Sequence, residues 1–196
     1  MKSTVQPAPV SMTALAQKMI AEVIRPGDLA IDATVGNGLD TFFLADQVGP
    51  GGNVVGFDIQ EIAHLRTSVI LGEAGLLSRV KLVHTGHEHL AEHLPAASHG
   101  KVKAIMFNLG YLPRGDKSVI TVPQTTIPAL HAAARCLCPG GRMSVLIYPG
   151  HEGGTEEASA VEQWAQSLSR VDFDLELIAA PRHTATSPRL LVVTRR

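Results

Sequence analysis

The residues best suited to chemistry cluster in a few short stretches. The first is DLAIDATVGNGLDT, residues 28–41. Leu29, Ala30 and Ile31 form an apolar run that ends on Asp32, Gly36-Asn37-Gly38 form a tight turn, and a helical pattern starts at Leu39. A buried parallel strand, a glycine turn and a helix N-terminus together make a nucleotide-handling βα unit. The glycines let backbone approach a ligand where a Cβ would collide or forbid the turn. Asp58 stands twenty residues after Gly38 and closes the next apolar run, NVVGFD. A carboxylate at that place can accept both hydroxyls of a ribose.

Spacing separates the ligands that such a turn could take. A phosphate-cradling loop needs a Gly-Lys-Ser/Thr ending, which is absent. A dinucleotide fingerprint needs a third glycine, and Thr41 stands there. What remains is Asp-x-x-x-Gly-x-Gly, Asp32 to Gly38. It suits a cationic ligand without a pyrophosphate, such as the sulfonium and amino group of S-adenosylmethionine; a plain βα turn is the alternative.

Asn108-Leu109-Gly110-Tyr111 is the most chemical stretch. It resembles the Asn-Pro-Pro-Tyr type of motif in amino-group methyltransferases, without the prolines. There an amide oxygen and a backbone carbonyl hold the target amine and the aromatic ring stacks on the base, a positioning effect that lowers a transfer barrier. The alternative is an amide-capped turn at a strand end. Arg114-Gly115-Asp116-Lys117-Ser118 follows, whose charges either bind phosphate and shape a loop over the substrate or form a solvated turn. His151, in Tyr148-Pro149-Gly150-His151-Glu152, falls after the fifth strand on the same side.

Histidines are dense at 84, 87, 89, 93 and 99, and His89 and His93 are spaced for one helix face. Nothing in the spacing fixes a third and fourth ligand, so no metal is expected. Cys138 before Pro139 is no nucleophile: Leu137 to Gly141 reads as a helix stop before a strand N-terminus, far from strand carboxyl ends.

The elements that must position these residues follow in order. Residues 1–10 read as a loose arm, and Ser11 caps a helix to Ile24. Strands are expected at 29–32, 53–58, 80–83, 102–109, 142–148, 173–179 and 189–194, with helices from 39, over 62–71, 124–137 and 156–168. The last two strands are joined by too short a loop for a crossover, so they should be antiparallel. Asp32, Asp58, His87 and Asn108 then fall at or just past strand carboxyl ends, where open α/β sheets bind ligands. The expected fold is an α/β Rossmann-like sandwich, a seven-stranded, mostly parallel sheet with a C-terminal antiparallel hairpin, in one domain spanning 1–196.

Composition sets outer bounds. With 196 residues, 45% hydrophobic and 18% charged, the chain can bury a substantial core. Net charge is −1, which offers no global signal for nucleic acid. Cys136 and Cys138 are too close for an ordinary disulfide and too few for zinc, which fits a reducing, cytoplasmic setting. No apolar run is long enough to span a membrane, and the N-terminus carries no signal-peptide pattern.

DATVGNGLDT, GFDIQ, TGHE, FNLGYLPRGDKS and IYPGHEGG resemble, in this order over about residues 11–155, a family of small class I methyltransferases earlier grouped as rRNA methylases. The family acts as tRNA 5-(aminomethyl)(-2-thio)uridine methyltransferases on the wobble uridine. The resemblance implies S-adenosylmethionine as cofactor, held by Asp32, Gly36, Asn37, Gly38, Asp40, Thr41, Asp58, Gln60, Gly86, His87 and Asn108. It implies catalysis by Asn108, Tyr111 and Asp116, and substrate contacts from Gly110, Tyr111, Arg114, Lys117 and His151. Arg182 and Arg189 are further candidate phosphate contacts. Two positions depart from the family, Arg114 for a usual glycine and Leu39 for a usual polar residue. The implied partner is the tRNA anticodon loop, with a homodimer offering the surface one small domain lacks. Methylation of a small-molecule amine or hydroxyl, or of rRNA, is the alternative activity. A nucleotide-binding module without catalysis is the reading from another class.

Overall fold

The structure is a computed structural model that describes residues 11–94, 96–113, 116, 118–179 and 184–196. The expected arm at 1–10 and the candidate contacts Arg114, Lys117 and Arg182 lie outside the described residues.

Ser11 begins the described chain as an N-cap: its hydroxyl accepts the Ala14 N–H at 3.1 Å. Helix α1 runs Met12–Ala21 and stops short of Ile24. Residues 22–24 turn instead, the Val23 and Ile24 N–H groups both donating to the Ile20 carbonyl, and the Arg25-Pro26-Gly27-Asp28 turn follows, closed by the Arg25 N–H on the Asp28 carboxylate at 2.7 Å. Strand β1 (Leu29–Asp32), helix α2 (Leu39–Gln47), strand β2 (Asn53–Asp58), helix α3 (Glu61–Glu73) and strand β3 (Val80–His84) follow. Then come the one-turn helix α4 (Leu90–His93), strand β4 (Val102–Asn108), helix α5 (Pro123–Cys136), strand β5 (Leu137–Ile147), helix α6 (Gly154–Ser167), and strands β6 (Phe173–Ala179) and β7 (Arg189–Arg195).

The strands form one seven-stranded sheet in the order β3-β2-β1-β4-β5-β7-β6. β1 to β5 are parallel, and β7 runs antiparallel to β5 and to β6, the latter as the short 180–188 connection requires. Side chains alternate across the sheet. Ile31, Phe57, Ile105, Phe107 and Leu191 face α4, α5 and α6, while Ala30, Val54, Ala104, Met106 and Leu190 face α1, α2 and α3. The order reverses beside β1, with β2 on one side and β4 on the other, which opens a crevice at the carboxyl ends of these strands.

β5 starts at Leu137, five residues before the expected 142. Leu137 is fully buried and pairs with Val102, and the next pair is Ala104 with Arg142. Two steps on β4 thus face five on β5, so Cys138 to Gly141 loop out as a bulge. The Pro-Gly-Gly signal marks this bulge and not the strand start. Both cysteines are free thiols. Cys138 lies at the amino end of β5, opposite the crevice.

The expected histidine face does not form. His89 ends a 3-10 turn, His87–His89, and lies beside Glu88 and Glu92, while His93 ends α4 with its ring edge on Phe57. Among the described residues no helix is long and apolar enough to cross a membrane.

Candidate active site at the carboxyl edge of the sheet

A cavity of about 600 Å³ occupies the crevice, a size suited to a drug-sized ligand. One half is built on β1, β2 and the turn after β3. Asp32 ends β1 and is 1% exposed, behind the cavity wall. Its carboxylate accepts the Thr34 N–H at 3.1 Å and the Thr41 hydroxyl at 2.6 Å, which ties strand, turn and helix α2 together. Burial, then the charge of Asp40, pushes its pKa up to about 7. Gly38 caps α2 at φ +79, and a Cβ there would stand 2.5 Å from Thr67 Oγ1. The turn therefore needs glycine twice over, for its dihedral and for its closeness to α3. Asp32, Gly38 and Thr41 hold the turn from behind, whereas Gly36, Asn37 and Asp40 stand on the cavity wall.

Asp58, the last residue of β2, is also on the wall. Gly36 N–H donates to one of its oxygens and Gln60 N–H to the other, both at 2.8 Å. A carboxylate has about four lone-pair sites, so two acceptors remain for a ligand. Two histidines steady the strand end. His64 Nε2 lies 2.9 Å from the Asp58 carbonyl, and His84 Nε2 2.9 Å from the Ile59 carbonyl. A carbonyl only accepts, so both nitrogens carry a proton. Asp40 accepts a 2.8 Å hydrogen bond from Gln17 on α1, and burial raises its pKa. Asn37 Oδ1 receives Arg66 at 3.3 Å. His87 and Gly86 complete this half. His87 is 7% exposed, its Nε2 is buried without a partner, and burial pulls its pKa below the usual range. An unpartnered ring nitrogen on a cavity wall is a place for a ligand hydrogen bond.

The other half is built after β4 and β5. The Asn108 N–H donates to Thr34 Oγ1 at 2.7 Å, while its side-chain amide, on the wall, makes none of the described hydrogen bonds. Gly110, at φ +124, pairs with Thr121: its N–H reaches Thr121 Oγ1 at 2.7 Å and its carbonyl accepts the Thr121 N–H at 2.8 Å. Tyr111 and Ile120 form an antiparallel bridge. Tyr111 is 44% exposed, and its ring meets His151 edge-on at 6.0 Å and 88°. His151 Nδ1 lies 2.8 Å from the Glu152 carbonyl and so carries the proton, leaving the buried, unpartnered Nε2 as an acceptor. A Cβ on Gly154 would stand 2.5 Å from the Tyr148 carbonyl and 3.0 Å from that ring, so glycine makes room for both.

Asp116 stands off the wall. It accepts the Ser118 N–H at 2.9 Å and hydroxyl at 2.7 Å, bonds that hold its carboxyl below the usual range. The Arg189 guanidinium is bonded to Glu162 on α6. No Lys or Arg among the described residues lines the cavity. Sequence reasoning missed Thr13 and Tyr148, which line the wall, and Gln17, Thr34, Thr121 and Glu157, which aim what lines it. Gln17 and Glu157 lie in amphipathic helices, where a polar residue gives no sign of pointing inward.

The sequence pattern of the Putative rRNA methylase family matches residues 54–194. The tRNA (mnm(5)s(2)U34)-methyltransferase, chloroplastic, of Arabidopsis thaliana is 43% identical over 169 residues, 82% of this chain and 61% of that protein. The chain thus spans less than two thirds of that relative's length. Among solved structures, a putative rRNA-methylase from Clostridium thermocellum superposes with a TM-score of 0.90 at 35% identity, covering 98% of this chain and 100% of that one. SMU.1697c, a putative methyltransferase from Streptococcus mutans in complex with SAH, superposes with a TM-score of 0.84 at 31% identity, over 95% and 98% of the two chains.

Proposed function

The chain belongs to the Putative rRNA methylase family of class I methyltransferases, and from that premise we propose that it uses S-adenosylmethionine to methylate the amine of 5-aminomethyl(-2-thio)uridine at the tRNA wobble position. One observation carries the reading. Asn108, whose side-chain amide makes no hydrogen bond among the described residues, the exposed ring of Tyr111, and His151, whose buried Nε2 has no partner among them, line the same cavity as Asp58. The name of the Arabidopsis relative supports the acceptor, and the SAH in the Streptococcus structure supports the cofactor.

The described residues fit that cofactor: Asp58 has lone pairs left for two hydroxyls, and His87 Nε2 lacks a partner. Asp58 would hold the ribose, Gln60, Gly86 and His87 the nucleoside, and Asn37 and Asp40 the methionine end. When bound, S-adenosylmethionine supplies an electrophilic methyl group on a cationic sulfur. The residues of this chain do the rest. Asn108 accepts a hydrogen bond from the amine and turns its lone pair inward, and Tyr111 stacks on the base. Burial in the cavity disfavours an ammonium, so the amine enters neutral. His151 Nε2 takes the proton that the methylated amine sheds, a role for which it is better placed than Asp116.

An anticodon-loop base is already splayed and needs little unpairing, so the cavity can take it without first opening a duplex. The absence of Lys and Arg from the described wall is the one observation favouring a small-molecule amine instead. Transfer from radioactive S-adenosylmethionine to tRNA carrying 5-aminomethyl(-2-thio)uridine, with none to the unmodified transcript, is the expected result. Equal labelling of both would overturn the acceptor, and turnover of a free amine without RNA would favour the second reading. A homodimer in a cytoplasmic setting completes the proposal, and sedimentation of the purified protein tests the dimer.

A further inference from the structure

Glu157 is 2% exposed, in the first turn of α6, and no ion pair among the described residues involves it. Its two oxygens are taken instead by two hydroxyls: Thr121 Oγ1 donates to Oε2 at 2.7 Å, and Thr126 Oγ1 to Oε1 at 2.6 Å. A buried carboxylate without a cation is an expensive way to join helices, and well-packed apolar side chains do so at lower cost. What the carboxylate does that an apolar group cannot is fix the direction of a proton. A threonine hydroxyl has one proton. Thr121 gives it to Glu157, so only lone pairs face Gly110, and the Gly110 N–H donates into them at 2.7 Å. The Leu109–Gly110 peptide is planar and trans, so holding its N–H on one edge fixes the Leu109 carbonyl on the other. Gly110, at φ +124, has backbone freedom that would otherwise let this peptide turn.

We propose that Glu157, acting through Thr121, is a positioning residue that sets the peptide plane of the Asn108–Tyr111 loop and so orients its acceptor groups toward the substrate amine. Glu157 touches no reacting atom; it acts through two hydrogen bonds. The inference rests on the reading that this loop holds the acceptor, and it adds a residue that lies off the cavity wall.

The test compares two isosteric cuts on the same carboxylate. Thr121→Val removes the bond to Glu157 and the bond to Gly110, whereas Thr126→Val removes a bond to Glu157 only. Thr121→Val should lower kcat by about 30-fold, the scale expected of a misoriented reacting group. Its affinity for S-adenosylhomocysteine, read by calorimetry, should stay within about 2-fold, because the cofactor half is untouched. Thr121→Ser should restore kcat to within about 3-fold, since the hydroxyl returns. Thr126→Val should lose as much thermal stability as Thr121→Val yet keep kcat within about 3-fold. In 15N-labelled protein the Gly110 amide proton should shift upfield and exchange faster in Thr121→Val and stay in place in Thr126→Val. Equal losses of kcat in the two valine variants, or an unmoved Gly110 amide in Thr121→Val, would overturn the proposal. If Thr121→Val does not fold, Thr121→Ala carries the same comparison. The amide measurement needs no substrate, so it tests the Thr121–Gly110 link of the relay even if the wild-type protein proves inactive on aminomethylated tRNA.

Discussion

Replacing Asp58 with alanine tests the cofactor half most directly. The carboxylate is held by Gly36 N–H and Gln60 N–H, each at 2.8 Å, and offers its remaining lone pairs to the cavity. Hydrogen bonds to a charged group contribute about 1.5–3 kcal/mol. If the ribose hydroxyls rely on Asp58, its loss should weaken S-adenosylhomocysteine binding by roughly 10- to 150-fold, at 1.4 kcal/mol per decade. The same change strips two backbone amides of their acceptor. Both are part-buried and partly refilled by water, so the stability cost should be smaller, about 1–2 kcal/mol. For a chain of this length that lowers Tm by roughly 3–6 °C. Calorimetric titration at 25 °C, with a melting curve on the same preparation, separates the two effects. Affinity within twofold of wild type in a folded Asp58→Ala protein would remove Asp58 from the site. A fall in Tm without a fall in affinity would make it a turn-holding residue only.

Other outcomes follow from the same geometry. Asp32 has a folded pKa raised to about 7, above an unfolded value near ~4, so the native state keeps its proton longer and stability falls as pH rises between about 4 and 7. Asp32→Asn removes that dependence. Its advantage over wild type in melting temperature should therefore grow over this range and level off above it, and a constant difference at all pH values would contradict the assignment. Gly38→Ala combines a left-handed dihedral with a Cβ 2.5 Å from Thr67 Oγ1 and should cost about 2–4 kcal/mol in denaturant unfolding. Adding Thr67→Ala should recover the steric part alone, and full recovery would show that the dihedral carries no strain. Asn108→Ala and Tyr111→Ala should each lower turnover on aminomethylated tRNA far more than cofactor affinity, and wild-type rates at saturating substrate would dismiss both from catalysis.

Strand ends and turns were legible because their signals are local. An apolar run closing on Asp32 or Asp58, followed by glycine, can be read within ten residues, and the hairpin follows from a connection too short to cross over. Placing Asp32 behind the wall was not legible. Its role depends on Thr41 on the next helix, and an acid before a glycine turn looks the same whether it faces ligand or protein. The start of β5 was misread because Pro139 and Gly140 mark a bulge as readily as a boundary, and only pairing with Val102 tells them apart. His84, one of the dense histidines, has a role that sequence could not give: with His64 from another element it holds one of two successive carbonyls, Asp58 and Ile59, at the end of β2. Glu157 was hidden most deeply, because the hydroxyls it meets are 36 and 31 residues away.

The position of β7 bears on how the protein is made. It follows β6 in the chain yet stands inside it, with β5 on one side and β6 on the other. Until residues 189–195 leave the ribosome, β6 has no strand to pair with and the outer edge of β5 lies open. That edge includes Val145, Leu146 and Ile147, all buried in the finished sheet. Translation adds about 5–20 residues per second, so the edge stays unpaired for roughly 2–10 s in each nascent chain. An apolar unpaired edge is a template for pairing with another chain. Substitutions at Val192 or Val193 that slow the arrival of β7 should therefore lower the yield of soluble protein by more than the stability of the molecules that do fold.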